Sequence, residues 1–278
     1  MENLVVKNSR VPQRTNVAAA TATLFLLATI PAAQAETWDL AGDWALEGKD
    51  LSGMPFGPQD AWGVYSVDAS ESNWTWKAFN RPMHFTISNP WFRLYNIDGW
   101  WLGETPTRRQ PMLGRNAGGE KWGPGNIPGT SFGVEYDWPV GRLAGCSWPD
   151  EKGKAILLTA AWTAPKQMKV SVQGGVWTAG KHLDVNLRRT RTRMWIDQAA
   201  NQIGPADKIV FDGVLVPVWT EGYDSSHPKK FAEMVAANAS ALSNISVAQG
   251  DRVCVGFYWD EKATKPGING IDLRITSK

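Results

Sequence analysis

The chain is punctuated too often to build long elements. Short runs rich in β-branched and aromatic residues recur at 61–67, 73–79, 84–88, 92–95, 154–161, 167–173, 183–189, 193–197, 208–211, 214–219, 244–247, 252–259 and 270–275. Between them stand turn-forming pairs such as Asp98-Gly99, Gly174-Gly175, Asp212-Gly213 and Asn269-Gly270. Short alternating runs bounded by Gly, Pro, Asn and Asp are the pattern of strands and reverse turns. Only 228–242 has helical composition, with Phe231, Met234, Val235 and Ala239 spaced for one apolar face. The expectation is an all-β protein, a two-layer antiparallel β-sandwich of jelly-roll type with at most one short helix.

The first 35 residues read as an export signal. Lys7, Arg10 and Arg14 form a basic start, 17–30 is apolar around Leu24-Phe25-Leu26-Leu27, and Ala33-Gln34-Ala35 is a small-x-small cleavage site before Glu36. The strongly apolar part is short for a bilayer span and is diluted by threonines. The expected location is therefore periplasmic or extracellular, with no membrane contact after cleavage. Residues 36–278 are expected to form a single domain, since no Pro/Ser/Thr linker and no internal repeat divides them.

Removing that leader changes the charge balance. The whole chain has 29 Lys+Arg and 27 Asp+Glu, and the leader holds three of the former and one of the latter, leaving 26 of each sign. A neutral domain gives no bulk reason to expect nucleic acid or an anionic membrane as partner. The local exception is Arg189, Arg191 and Arg193, which in a strand share one face. They suit either a charge-protected edge strand or a grip on a sulfate, uronate or phosphate.

Export into an oxidising compartment makes a bridge between Cys146 and Cys254, the two cysteines of the chain, an expectation. The long loop it would close is worth roughly 4 to 5 kcal/mol in the chain-entropy description. Buried free thiols are the alternative. With no CxxC pair and three isolated histidines, His84, His182 and His227, no zinc site is expected. A structural Ca²⁺ in the acidic turns around Asp251, Asp260 and Glu261 is chemically allowed, but the spacing is not that of an EF-hand, and solvated turns are the preferred reading.

Sixteen tryptophans, all beyond residue 35, are the main functional clue. An indole either fills a core or presents a flat stacking face. Trp74 and Trp76 alternate within a strand-like run and share a face, Trp100 and Trp101 follow Asp98-Gly99, and Trp122, Trp138 and Trp148 lie in a Gly/Pro-rich region spanning about 103–151. That region is read as a long elaborated loop with two acid-aromatic clusters, one of them Glu135-Tyr136-Asp137-Trp138.

The segment Ala160-Ala161-Trp162-Thr163-Ala164-Pro165 with Met168-Lys169-Val170-Ser171-Val172, the turn Gln249-Gly250-Asp251 leading into Arg252-Val253, and the run Gly270-Ile271-Asp272-Leu273-Arg274-Ile275 resemble a group of poorly characterised exported bacterial β-sandwich proteins with domains like carbohydrate-binding modules. The resemblance spans about 155–275 and implies a non-catalytic poly- or oligosaccharide binder without a cofactor. Sugar stacking agrees with the indole surplus, and the candidate binding residues are Trp74, Trp76, Trp100, Trp101, Trp122, Trp138, Trp148, Glu135 and Asp137. Two other readings stand beside it. One is a polysaccharide hydrolase or lyase using Glu135, Asp137, Asp150, Glu151 or Glu221, although no nucleophile elbow, phosphate-cradling loop or HExxH sequence occurs. The other is a structural surface or matrix protein whose tryptophans are nearly all core.

Overall fold

The computed structural model describes residues 35–44, 55–68, 75–79, 81–89, 92–101, 112–119, 135–147, 156–181, 189–198, 208–215, 223–235, 239–260 and 267–278. Residues Ala35–Lys278 form one compact unit. Its strands are β1 (Thr37–Asp39), β2 (Trp62–Asp68), β3 (Thr75–Ala78), β4 (Arg81–Asn89), β5 (Phe92–Trp101), β6 (Met112–Gly119), β7 (Glu135–Tyr136), β8 (Leu143–Cys146) and β9 (Ile156–Thr163). They continue with β10 (Met168–Thr178), β11 (Gly180–Lys181), β12 (Thr190–Asp197), β13 (Lys208–Leu215), β14 (Lys229–Lys230), β15 (Ile245–Val247), β16 (Arg252–Trp259) and β17 (Ile268–Ser277). Among the described residues one short α-helix occurs, α1 (Phe231–Met234).

Two antiparallel sheets make a β-sandwich. A nine-stranded sheet runs β14-β10-β17-β8-β6-β5-β4, with β1 also on β17 and β15 also on β10, and a six-stranded sheet runs β13-β12-β16-β9-β2-β3. Strand β17 lies inside the larger sheet, with β10 along one side and β8 and then β1 along the other.

Side-chain alternation explains how the layers close. In β16, Val253, Val255 and Phe257 point into the space between the sheets with Trp62 and Val64 of β2, Leu158, Ala160 and Trp162 of β9, and Met194 and Ile196 of β12. The opposite layer supplies Trp38, Val170, Val172, Val176, Ile271, Leu273 and Ile275. Trp38 and Trp162 meet across the interface with ring centres 5.0 Å apart. Each such buried indole removes about 150–250 Å² from water, an upper figure of roughly 4 to 6 kcal/mol before the cost of ordering it.

Several local expectations give way to sheet pairing. Strands β6 and β8 occupy part of what reads as one long loop, and they pair with each other and with β5 and β17. Asp98-Gly99 and Asp212-Gly213 are not turns. Gly99 pairs with Met83 and Gly114, and Gly213 pairs with Thr192. Within the described part of 228–242 the helix is α1, ended by the non-helical Val235, with a separate 3₁₀ turn at Ala239–Leu242, and Lys229–Lys230 adds a short strand to β10. Strand β12 is flanked by β13 and β16, so its arginines do not guard a sheet edge.

The bridge between Cys146 and Cys254 is not formed. Cys254 is a free thiol with 0% exposure in the middle of the six-stranded sheet, whereas Cys146 belongs to β8 of the other sheet and its side chain lies outside the described residues. Cys254 faces away from the layer between the sheets, because its neighbours Val253 and Val255 take the inward positions. Burial pushes its thiol pKa well above the usual value.

Strand β1 is fastened to β17 by charge as well as by its ladder. Asp39 accepts hydrogen bonds from Arg274 Nη2 at 2.6 Å and Nε at 3.2 Å, and from the Ala41 and Gly42 amides at 3.1 Å each. Burial alone raises the Asp39 pKa, but the Arg274 hydrogen bond, the Gly42 and Ala41 amides and the Arg274 charge together hold it below 3.8. A depressed folded-state value means stability that is complete above the unfolded value and is lost as pH falls through the folded one. Asp39→Asn is accordingly expected to flatten the acid limb of the stability profile. Urea midpoints measured between about pH 2 and pH 6 test this, and an unchanged slope below pH 4 would refute it.

Candidate binding face

The outward side of the six-stranded sheet carries a second, smaller cluster. Val67, Leu157, Ala161, Trp195 and Cys254 are buried there, and Tyr65, Trp76 and Tyr258 pack on them while staying partly exposed. The parity that sends Val253, Val255 and Phe257 inward sends Arg252, Cys254, Gly256 and Tyr258 outward. Cross-strand rows follow from the register: Trp195, Cys254, Ala161 and Gly63 form one, and Arg193, Gly256, Thr159, Tyr65 and Ala78 the next.

Large rings lie over a floor of small residues. A Cβ on Gly63 would come within 2.6 Å of the Tyr65 ring, and one on Gly256 within 2.9 Å of the Trp195 indole. The absence of side chains at these two floor positions is what lets the rings lie down on the sheet. Trp76 then meets Tyr65 edge-on at 5.3 Å and Trp195 at 6.2 Å.

Charged groups are fixed around the rings. The Arg252 guanidinium lies 4.0 Å from the Trp76 ring centre and 5.7 Å from that of Tyr65. Asp197 holds it, accepting from Nε at 2.8 Å and from Nη2 at 2.5 Å. Beyond them, Arg191 and Arg193 both reach Asp212, at 3.3 and 2.5 Å, and both sit over Tyr258, 5.6 and 5.4 Å from its ring centre. The Tyr258 hydroxyl donates to Asp212 at 3.1 Å. Burial, then the Asp212 charge and hydrogen bond, raises the Tyr258 pKa against the pull of the two arginines, so the phenol stays a donor at neutral pH. Arg189 adds a further pair with Asp260 at 3.2 Å.

The residues singled out by sequence scatter. Trp76 is on this face. Trp100 is 0% exposed in the layer between the sheets, stacked against Phe56, and so presents no face to a ligand. Trp138 is 5% exposed and anchors a turn, its Nε1–H donating to the Arg142 carbonyl at 2.8 Å. Asp137 is a fastener: its two carboxylate oxygens accept from the Ser225 amide and hydroxyl at 2.5 Å each, and its carbonyl accepts from Trp177 Nε1 at 2.9 Å. Trp74, Trp122 and Trp148 lie outside the described residues, as do Asp150, Glu151, Glu221, Glu261 and the leader 1–34. Trp101 and Glu135 are described only as strand positions in β5 and β7.

Other groups with chemical potential are occupied locally. Ser226 Oγ is 3.1 Å from His227 Nδ1 and donates to Asp224 at 2.6 Å, but Asp224 also approaches that same Nδ1, at 3.5 Å. A relay needs the acid on one ring nitrogen and the hydroxyl on the other, so this is an exposed turn closed by its own side chains. Asp251 accepts from the Ala248 amide at 2.8 Å and Asp260 pairs with Arg189. Among the described residues no group of three His, Cys, Asp or Glu is placed to hold a metal ion. No helix of the described residues is long and apolar enough to cross a membrane.

Sequence reasoning missed Tyr65, Trp195, Tyr258, Arg252 and Asp212. The signal was present in β16, whose inward positions are wholly apolar and whose outward ones mix Arg, Gly and Tyr. No protein family, curated protein or solved structure matches the chain, so the chemistry of the face carries the reading.

Proposed function

We propose that the protein is an exported, non-catalytic glycan-binding protein whose ligand lies on the outward face of the six-stranded sheet. One observation carries this reading: Tyr65, Trp76 and Tyr258 remain partly exposed on a single sheet face, ringed by guanidinium and carboxylate groups already held in place. A pyranose offers a C–H patch to an aromatic ring and hydroxyls to planar polar groups, and both are supplied here. Fixing the polar groups in advance lowers the ordering cost of binding.

The hydrolase or lyase reading gains less support. Glycoside cleavage needs two carboxylates across the bond, and those described on this face, Asp197, Asp212 and Asp260, are each engaged by arginine.

Alanine at both Trp76 and Tyr258 is expected to weaken retention on the recognised polysaccharide by about a hundredfold, from about 1.4 kcal/mol at each ring. Affinity electrophoresis against a polysaccharide panel measures this. Unchanged retention by a folded double variant would move the ligand elsewhere. Release of reducing or unsaturated ends by the wild-type protein would replace binding with catalysis.

A further inference from the structure

We infer that the ligand is a linear polysaccharide held along an internal stretch, which crosses the strands so that one sugar meets Tyr65 and Trp76 and a later one meets Tyr258. This rests on the glycan-binding reading and names the class of glycan. Two patches of the same make-up carry it. In the first, Tyr65 of β2 and Trp76 of β3 meet edge-on at 5.3 Å, the Arg252 guanidinium lies over both rings, and Asp197 holds it at 2.5 Å. In the second, the Arg193 guanidinium lies 5.4 Å from the Tyr258 ring centre, and Asp212 holds it at 2.5 Å. Ring, guanidinium and carboxylate recur in one combination, which suits a ligand that repeats itself.

The patches are too far apart for one sugar to touch both. Strand β9 lies between β2 and β16, so Tyr65 and Tyr258 are separated by two inter-strand steps, about 10 Å. Thr159 aligns Tyr65 with Gly256, two residues before Tyr258, which adds about 7 Å along the strands. The diagonal between the two Cα atoms is therefore about 12 Å. Neither tyrosine shortens it: Tyr65 lies over Gly63 of its own strand, and the Tyr258 hydroxyl reaches away to Asp212 of β13 at 3.1 Å. With C–C and C–O bonds near 1.5 Å, a pyranose advances its chain by about 5 Å, so roughly three consecutive sugars join the patches.

A chain of that length makes the second contact intramolecular, and two weak subsites then act at a high effective concentration. Nucleic acid is also a repeating polymer with stacking faces. A strand of it tracks a basic groove, however, and the arginines of these two patches are each held by an aspartate.

Isothermal titration of the full chain with cello-, xylo-, manno- and galacturono-oligosaccharides of one to six sugars, and with an oligothymidylate, tests this. In the series that binds, affinity is expected to be weak for one and two sugars, to rise about tenfold or more between two and four, and then to level off. Reducing the terminal aldehyde of the six-sugar member to an alditol should leave its affinity unchanged, because the end is not what is held. Tyr258→Ala should abolish the rise and spare the weak binding of the two-sugar member. Equal affinity for one sugar and six, loss of binding when the end is reduced, or retention of a polymer none of whose oligosaccharides binds overturns this inference and leaves glycan binding standing. Tighter binding of oligothymidylate than of any sugar overturns both in favour of nucleic acid. Failure to bind any oligosaccharide or polysaccharide removes both as well. The length series needs only the wild-type protein, so it decides even if the variant fails to fold.

Discussion

Gly174→Ala is expected to cost about 3 to 5 kcal/mol. Gly174 sits in β10 at φ +120°, and a Cβ there would lie 1.9 Å from the Asp272 carbonyl oxygen of β17. Both obstacles are backbone. The carbonyl belongs to the neighbouring strand of the ladder, so relief means pulling β10 from β17. Gly118→Ala separates the two contributions. Gly118 has φ +118° but nothing within 4 Å of the added carbon, so only the conformational part, about 1 to 2 kcal/mol, should appear. Thermal midpoints for the two variants, at about 2 to 4 °C per kcal/mol for a domain of this size, measure the difference. Equal losses would show that the close approach of β10 and β17 does not constrain the sheet.

The second large effect concerns two indoles facing each other in register. Trp62 and Trp162 are cross-strand partners on the inward face, and both are 0% exposed. Alanine at either should cost about 3 to 5 kcal/mol by leaving a cavity between the sheets. Phenylalanine should tell them apart. Trp62 Nε1 donates to Asp43 at 2.9 Å, while Trp162 Nε1 is buried without an acceptor. Trp62→Phe loses volume and leaves the carboxylate one donor short, whereas Trp162→Phe loses volume and removes an unanswered donor. The Trp62 variant should be the less stable of the two by about 1 kcal/mol in urea unfolding. The reverse order would mean that the Trp162 N–H finds a partner in solution.

The fold was more legible in the chain than the site, and the reason is geometric. Although Gly174-Gly175 and Asn269-Gly270, which read as turns, lie inside β10 and β17, strand β9 announces itself through an apolar run and β16 and β17 through local alternation. Strand β6, Met-Leu-Gly-Arg-Asn-Ala-Gly-Gly, does not, since its glycines read as turns until β5 and β8 pair with it. Asp212-Gly213 misleads in the same way, because a dipeptide with turn propensity is overruled by ladder bonds on β12. The outward face needs more than parity. Which of two alternating sets is core can be guessed from β16 alone, but bringing Arg252 to Trp76 requires the order of the intervening strands, which no local pattern contains. Trp100 shows the converse error. An indole beside Asp98-Gly99 suggests a loop tip, yet it stacks on Phe56 between the sheets because that dipeptide is mid-strand.

The place of β17 within the larger sheet bears on when this protein can acquire its shape. The strand that joins β10 to β8 and β1 is the last of those described to leave the ribosome, and until it is made the nine-stranded layer stays in separate pieces. Its partners are far away along the chain, so closing the layer is a late and slow event. Translation therefore delivers a polypeptide that lacks its central seam until β17 is made. Chaperone demand should accordingly be concentrated in the interval between the synthesis of β10 and that of β17.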